Sequence, residues 1–109
     1  EKQIKRVKAW IAAEFADAAS YLGAFAIAHV PPFSDYYFNA ETEEYYRETM
    51  AGNNVLMSLN GHEHRYYYGE YYNDGVMYLA GEDLGDRNFC KITVYCGEDV
   101  RVDVKRIYY

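Results

Sequence analysis

The sequence predicts an α/β domain. Three features carry that expectation: a 3.6-residue apolar period over the N-terminal stretch, two short apolar runs that each end in a histidine-bearing loop, and a switch to period two beyond Arg65. At 109 residues the chain suffices for one small domain, or for part of a larger one.

Residues 2 to about 20 read as an amphipathic helix, with Ile4, Val7, Ile11, Phe15 and Ala18 on one stripe and Trp10 beside it. Lys2, Lys5, Arg6 and Lys8 crowd its first turns, where cations oppose the helix dipole, and no Ser, Thr, Asp or Asn caps the start. We read this as a sign that further chain precedes Glu1. Tyr21–Ala28 is a continuous apolar run, expected as a strand covered on both faces. The segment from His29 to Ala40, with Pro31 and Pro32, is expected as a loop. Glu41–Met50 reads as a short helix, capped by Asn39, acidic in its first turn and stopped by Gly52. Val55–Leu59 is the second buried strand. Tyr66–Tyr72 and Val76–Ala80 flank Asn73-Asp74-Gly75, a hairpin signal. After the polar loop 81–88, Phe89–Cys96 and Val100–Tyr108 form another hairpin around Gly97-Glu98-Asp99. The expected order is helix, strand, helix, strand, then an antiparallel meander over 66–109. Strands 21–28 and 55–59 pair in parallel through the helix between them.

Composition removes several function classes. Half of the residues are hydrophobic and 18% are aromatic, which argues against disorder. A net charge of -6 provides no basic face for nucleic acid. No apolar run reaches the ~18 residues of a membrane span, and no signal peptide opens the chain. Fourteen tyrosines suit half-wet sheet faces and interfaces, where the ring is buried and the hydroxyl finds a partner. Cys90 and Cys96 share one strand about 20 Å apart, beyond disulfide reach. They are expected as buried free thiols on the face of Ile92 and Val94.

The histidines are the chemical signal. All three lie in His29-Val30-Pro31-Pro32 and Gly61-His62-Glu63-His64, each at the end of an apolar run. Strand ends on one sheet edge are where α/β folds hold ligands, and neutral imidazole is a common metal ligand. The spacing of His62 and His64 lets a tight loop aim both rings at neighbouring points, and Gly61 lets backbone approach closely. A lone His-x-His carries little by itself. It is the joint placement with His29 that makes the case, and the three imidazoles are expected to converge. Arg65 is a candidate phosphate ligand and Tyr66 a candidate wall of a substrate cleft. A solvated strand start and a half-exposed sheet face are the plain alternatives. The loop 81–86 lacks the ligand spacing of a calcium site, and no nucleophile motif is visible.

Taken in order, these segments resemble the C-terminal half of a calcineurin-like metallophosphoesterase, in particular its purple-acid-phosphatase-like members. The resemblance rests on Lys8-Ala9-Trp10-Ile11 in a helix and on Ile27-Ala28-His29-Val30-Pro31-Pro32-Phe33. It rests also on Ser58-Leu59-Asn60-Gly61-His62-Glu63-His64 and on Gly75-Val76-Met77-Tyr78-Leu79-Ala80-Gly81. It extends over nearly all of residues 1–109. It implies one half of a two-sheet sandwich flanked by helices, with an open edge and an exposed apolar face. It further implies a phosphoester substrate and a dinuclear site of two divalent or trivalent ions of the Fe, Mn or Zn class. His29 and His62 would ligate one ion and His64 the other. An extracellular or secretory setting goes with the same resemblance. The family's Asp-x-His, Gly-Asp-x-x-Asp and Gly-Asn-His-Asp motifs do not occur here. The implied partner is therefore the N-terminal half of the domain or another chain, with an oligomer as a further option. The competing class is a non-catalytic metallophosphoesterase-like scaffold with tyrosine-rich contact surfaces.

Overall fold

The computed structural model describes residues 2–34 and 36–109; Glu1 and Asp35 lie outside the described residues. Helix α1 covers Lys2–Glu14 and ends earlier than its apolar stripe implies. The chain then tightens into a 3₁₀ turn, Ala18–Ser20, where the Ser20 hydroxyl bonds the Asp17 carbonyl at 2.6 Å. At the helix end itself the backbone shifts to the tighter bonds Ala16 N to Ala13 O and Ala18 N to Phe15 O. Of the stripe, Ile11 and Phe15 pack against the core, whereas Val7 and Trp10 are exposed.

Strand β1 is Ala24–Ile27, helix α2 Ala40–Gly52 and strand β2 Val55–Asn60. Asn39 caps α2 as expected: its side chain accepts from Thr42 N at 2.9 Å, and Thr42 Oγ1 accepts from Asn39 N, a reciprocal capping box. Lys8 joins the helices through its ammonium, 2.5 Å from Glu41, and its carbonyl, which accepts from the Tyr45 hydroxyl. The Lys8 bond and charge hold the Glu41 carboxyl below its ordinary pKa.

Strands β3 (Tyr67–Gly69) and β4 (Met77–Ala80) complete a four-stranded sheet of order β1-β2-β4-β3. β2 runs parallel to both β1 and β4, and β3 is antiparallel to β4. Strands β5 (Asn88–Cys96) and β6 (Val100–Tyr108) form a separate antiparallel hairpin. The expected continuous meander is thus corrected: β4 inserts beside β2, and only β5–β6 stand as a free hairpin. The first hairpin is also shorter than its alternation implied. Tyr71 and Tyr72 leave the ladder, Tyr71 to stack on Phe33 and Tyr72 to meet Tyr78 edge to face, so aromatic packing outweighs strand extension.

One sheet face carries the core. Ala26, Val55, Val76 and Tyr78 meet Tyr46 and Met50 of α2 there. The register places Ile27, Leu59, Leu79 and Tyr68 in a row across the second face. A groove lined by Leu59, Leu79, Phe89 and Ile92 separates part of that face from β5. Ile27 itself is 82% exposed, and Tyr21 and Leu22 are exposed before it. The expected strand buried on both faces is therefore an edge strand with one open face. Cys90 is half-buried and Cys96 exposed, both free, so only the first approaches the buried thiol expected.

A polar relay crosses the core. Ser58 Oγ donates to Asn60 Oδ1 at 3.1 Å, and the Asn60 amide donates to the Ala28 carbonyl at 2.8 Å. Ser58 has one proton, so the 2.9 Å contact with Tyr46 has the phenol as donor. Burial pushes that phenol above its ordinary pKa. By contrast, the buried Tyr78 hydroxyl has no hydrogen-bond partner among the described residues. Leaving a buried polar group unsatisfied costs about 1–3 kcal/mol. Ser58→Ala is therefore expected to lower unfolding free energy by about 1–3 kcal/mol, while Tyr78→Phe leaves it unchanged or raises it. Urea titration of both variants checks the contrast; equal losses would contradict the relay.

The second hairpin is tied down at Glu82, which receives the Arg106 guanidinium and the Asn88 amide. Arg106 is flanked by the Tyr66 and Tyr108 rings at 4.6 and 4.9 Å. The hydrogen bond from Arg106 leads in lowering the Glu82 pKa. A depressed carboxyl contributes stability above its unfolded pKa of about 4.3 and loses it as pH falls through the folded value. Acidification below about pH 4.3 is expected to lower the urea midpoint of the native chain more than that of Glu82→Gln. Identical acid limbs would show that the pair does not anchor the hairpin.

Candidate functional site: an imidazole pair beside an aromatic cleft

The two histidine loops meet because their strands are neighbours in parallel. Ala28 N donates to Leu59 O and Gly61 N to His29 O at 2.8 Å, so the β1–β2 pairing continues past both strand ends. Gly61 lies against the His29 ring: a Cβ there would stand 3.5 Å from Nδ1. Beyond it, Glu63 N bonds Gly61 O at 2.8 Å with His62 at φ 67°. This is the rarer, strained form of γ-turn. His64 is left-handed too, at φ 52°. Non-glycine residues in this region cost free energy, and such strain gathers at functional sites.

The loop from His29 is stiffened by buried Pro31 and Pro32, and Ser34 N closes a turn onto Pro31 O. It returns Tyr37 to His62, edge to face at 4.8 Å, and His62 in turn meets His29 at 5.2 Å and 81°. His64 points elsewhere. It is exposed, with Nδ1 3.5 Å from the Asp83 carboxylate. The structure thus brings His29 and His62 together and sets His64 against an acid. Arg65 and Tyr66, the expected substrate contacts, both line a cleft of about 650 Å³ with Phe33, Tyr36 and Tyr71. Burial leads in holding the Tyr66 phenol above its ordinary pKa.

The fit of a metal ion can be tested on these rings. Two imidazoles bonded to one ion at about 2.0–2.1 Å and a tetrahedral angle have centroids about 5 Å apart. The observed 5.2 Å agrees. Catalytic zinc-type sites take three protein ligands. Among the described residues, no group of three or more His, Cys, Asp or Glu side chains is arranged to hold an ion. The spacing is compatible with two members of a larger ligand set, and it is also that of an ordinary edge-to-face ring contact. Sequence reasoning passed over Tyr37, which braces His62, and Asp83, which faces His64. The run Tyr36-Tyr37 signalled only an aromatic loop, and Asp83 sat in a stretch read as loop solvation.

No protein-family model, curated protein or solved structure matches the chain.

Glycine tolerates the conformation that strains His62. Relief of about 1–2 kcal/mol offsets an entropic cost to glycine of about 0.5–1 kcal/mol. Both His62→Gly and the β-branched His62→Val remove the ring contacts with Tyr37 and His29, so the backbone alone separates them, and His62→Gly is expected to melt above His62→Val. Calorimetry on both decides; similar drops would show that the turn is not strained.

Proposed function

We propose that this domain supplies imidazole ligands to a metal-dependent phosphoester hydrolase. His29 and His62 hold one ion and His64 serves a second, while the remaining ligands come from polypeptide outside these 109 residues. The observation that carries the proposal is the His29–His62 pair, 5.2 Å apart on loops that extend neighbouring parallel strands. Ligand sites of α/β folds lie at that edge. Two strained histidines in one short loop add support, because such strain needs a compensating role.

When bound, the ions supply charge neutralisation and activation of water for attack on phosphorus. The chain's own residues do the positioning. The Asn60 amide and Gly61 N–H fix the strand ends, and Tyr37 limits rotation of the His62 ring. Asp83, near Nδ1 of His64, suits the outer-shell role of setting a tautomer and leaving Nε2 for the ligand. Arg65, exposed and in no ion pair among the described residues, is suited to grip phosphoryl oxygens through two N–H groups.

A second reading, an assembly module without chemistry, is supported by the open edge at β1 and the exposed Ile27 on its free face. Metal analysis and p-nitrophenyl phosphate turnover of the intact protein separate the two. The hydrolase reading expects about two ions per complete site. It expects His62→Ala to lose more than the about 10–100-fold typical of an outer-shell change. Metal-free protein that assembles but does not turn over substrate would decide for the scaffold.

A further inference from the structure

The cleft beside the histidine pair has a composition that the hydrolase reading alone does not call for. Its volume of about 650 Å³ falls within the ordinary range for small-molecule sites. Its walls are aromatic. Phe33 is anchored against the core and stacks on Tyr71 at 4.1 Å, with an interplanar angle of 16°. Tyr71 remains 48% exposed and Tyr36 86% exposed. A built stack thus ends on a ring that is half open to solvent, in a cleft that the exposed Tyr36 also lines. Such a surface is well suited to extend the stack onto a further flat π-system.

Ring contacts link the wall of the cleft to the imidazoles. Tyr36 meets Tyr37 edge to face at 4.8 Å, Tyr37 meets His62 at 4.8 Å, and His62 meets His29 at 5.2 Å. The loop that presents His62 and His64 contributes Glu63 and Arg65 to the cleft lining. Arg65 is its unpaired cation among the described residues. Arg106, below Tyr66, already serves Glu82. The Glu63 carboxylate opposes an anion set beside it, which leaves Arg65 and the His62 side for negative charge.

We propose that the cleft is the seat of the leaving group, and that the ligand is a phosphomonoester whose ester oxygen carries a planar aromatic system. The ring stacks on Tyr71, and the phosphate lies toward Arg65 and His62. The identity of the anion rests on the hydrolase reading, whereas the aromatic seat stands independently of it. A simple aryl phosphate and a nucleoside monophosphate share this chemistry, the second through its base.

Two kinds of measurement on the intact protein test the proposal. In turnover, Tyr71→Ala raises KM for phenyl phosphate about tenfold, within the range of one lost stacking contact. Glycerol 2-phosphate is affected less, so the ratio of the two kcat/KM values shifts toward glycerol 2-phosphate, and Tyr71→Phe restores the native ratio. In equilibrium binding, followed by tyrosine fluorescence, non-hydrolysable phenylphosphonate binds the native protein more tightly than methylphosphonate. Tyr71→Ala abolishes that preference and Arg65→Ala weakens both. Running AMP beside phenylphosphonate tells a base-sized pocket from an aryl-sized one. Tyr71-dependent binding without turnover would retain the seat and reject the hydrolase. Turnover with no aromatic preference, or equal damage to glycerol 2-phosphate, would overturn the seat and leave the hydrolase standing.

Discussion

The structure depends on one buried polar relay, in which the Tyr46 phenol bonds Ser58, Ser58 bonds Asn60, and the Asn60 amide bonds the Ala28 carbonyl. Each group has one geometry that satisfies all the others. The relay ties α2 to the middle of β2 and then ties the end of β2 to the end of β1. Because Ala28 precedes His29 and Asn60 precedes Gly61, the same bonds fix where both histidine loops leave the sheet. A slip of one residue between β1 and β2 would break the relay and turn apolar side chains to the wrong face. Placement of the imidazole pair is therefore a consequence of core packing rather than of the loops alone.

Much of this was legible in the sequence. The Asn39 cap, the acid-rich first turn of α2, the parallel β1–β2 pair and the Gly61 loop followed from local patterns with short-range physical causes. What could not be read were outcomes of competition between distant groups. Alternation through Tyr72 suggested a long hairpin, but Phe33 draws Tyr71 and Tyr72 into an aromatic cluster from almost forty positions away. The apolar run before His29 suggested burial on both faces, yet strand order places β1 at the edge. Periodicity does not encode strand order. In the site, the common edge of His29 and His62 followed from strand adjacency. The pairing of His64 with Asp83 depends on how the loop after β4 returns.

The open second face and the partial ligand set are compatible features. The row Ile27, Leu59, Leu79 and Tyr68 is covered only in part by β5, and its edge strand carries neither the charge nor the proline that commonly blocks edge pairing. Two imidazoles, likewise, are fewer than a catalytic ion takes. Under the proposed function one partner surface answers both, by covering apolar area and by adding carboxylates beside the pair. Tyrosine-rich walls then lie on the substrate side, where a ring that is apolar in body and polar at its tip tolerates repeated wetting.

The most direct test of the central claim follows the imidazole nitrogens by NMR during titration with zinc. The ring signals of His29 and His62 are expected to move together, with one midpoint and one stoichiometry, while His64 responds separately. Independent responses of His29 and His62, or no response from either, would contradict the claim that the two rings form a shared metal-binding pair.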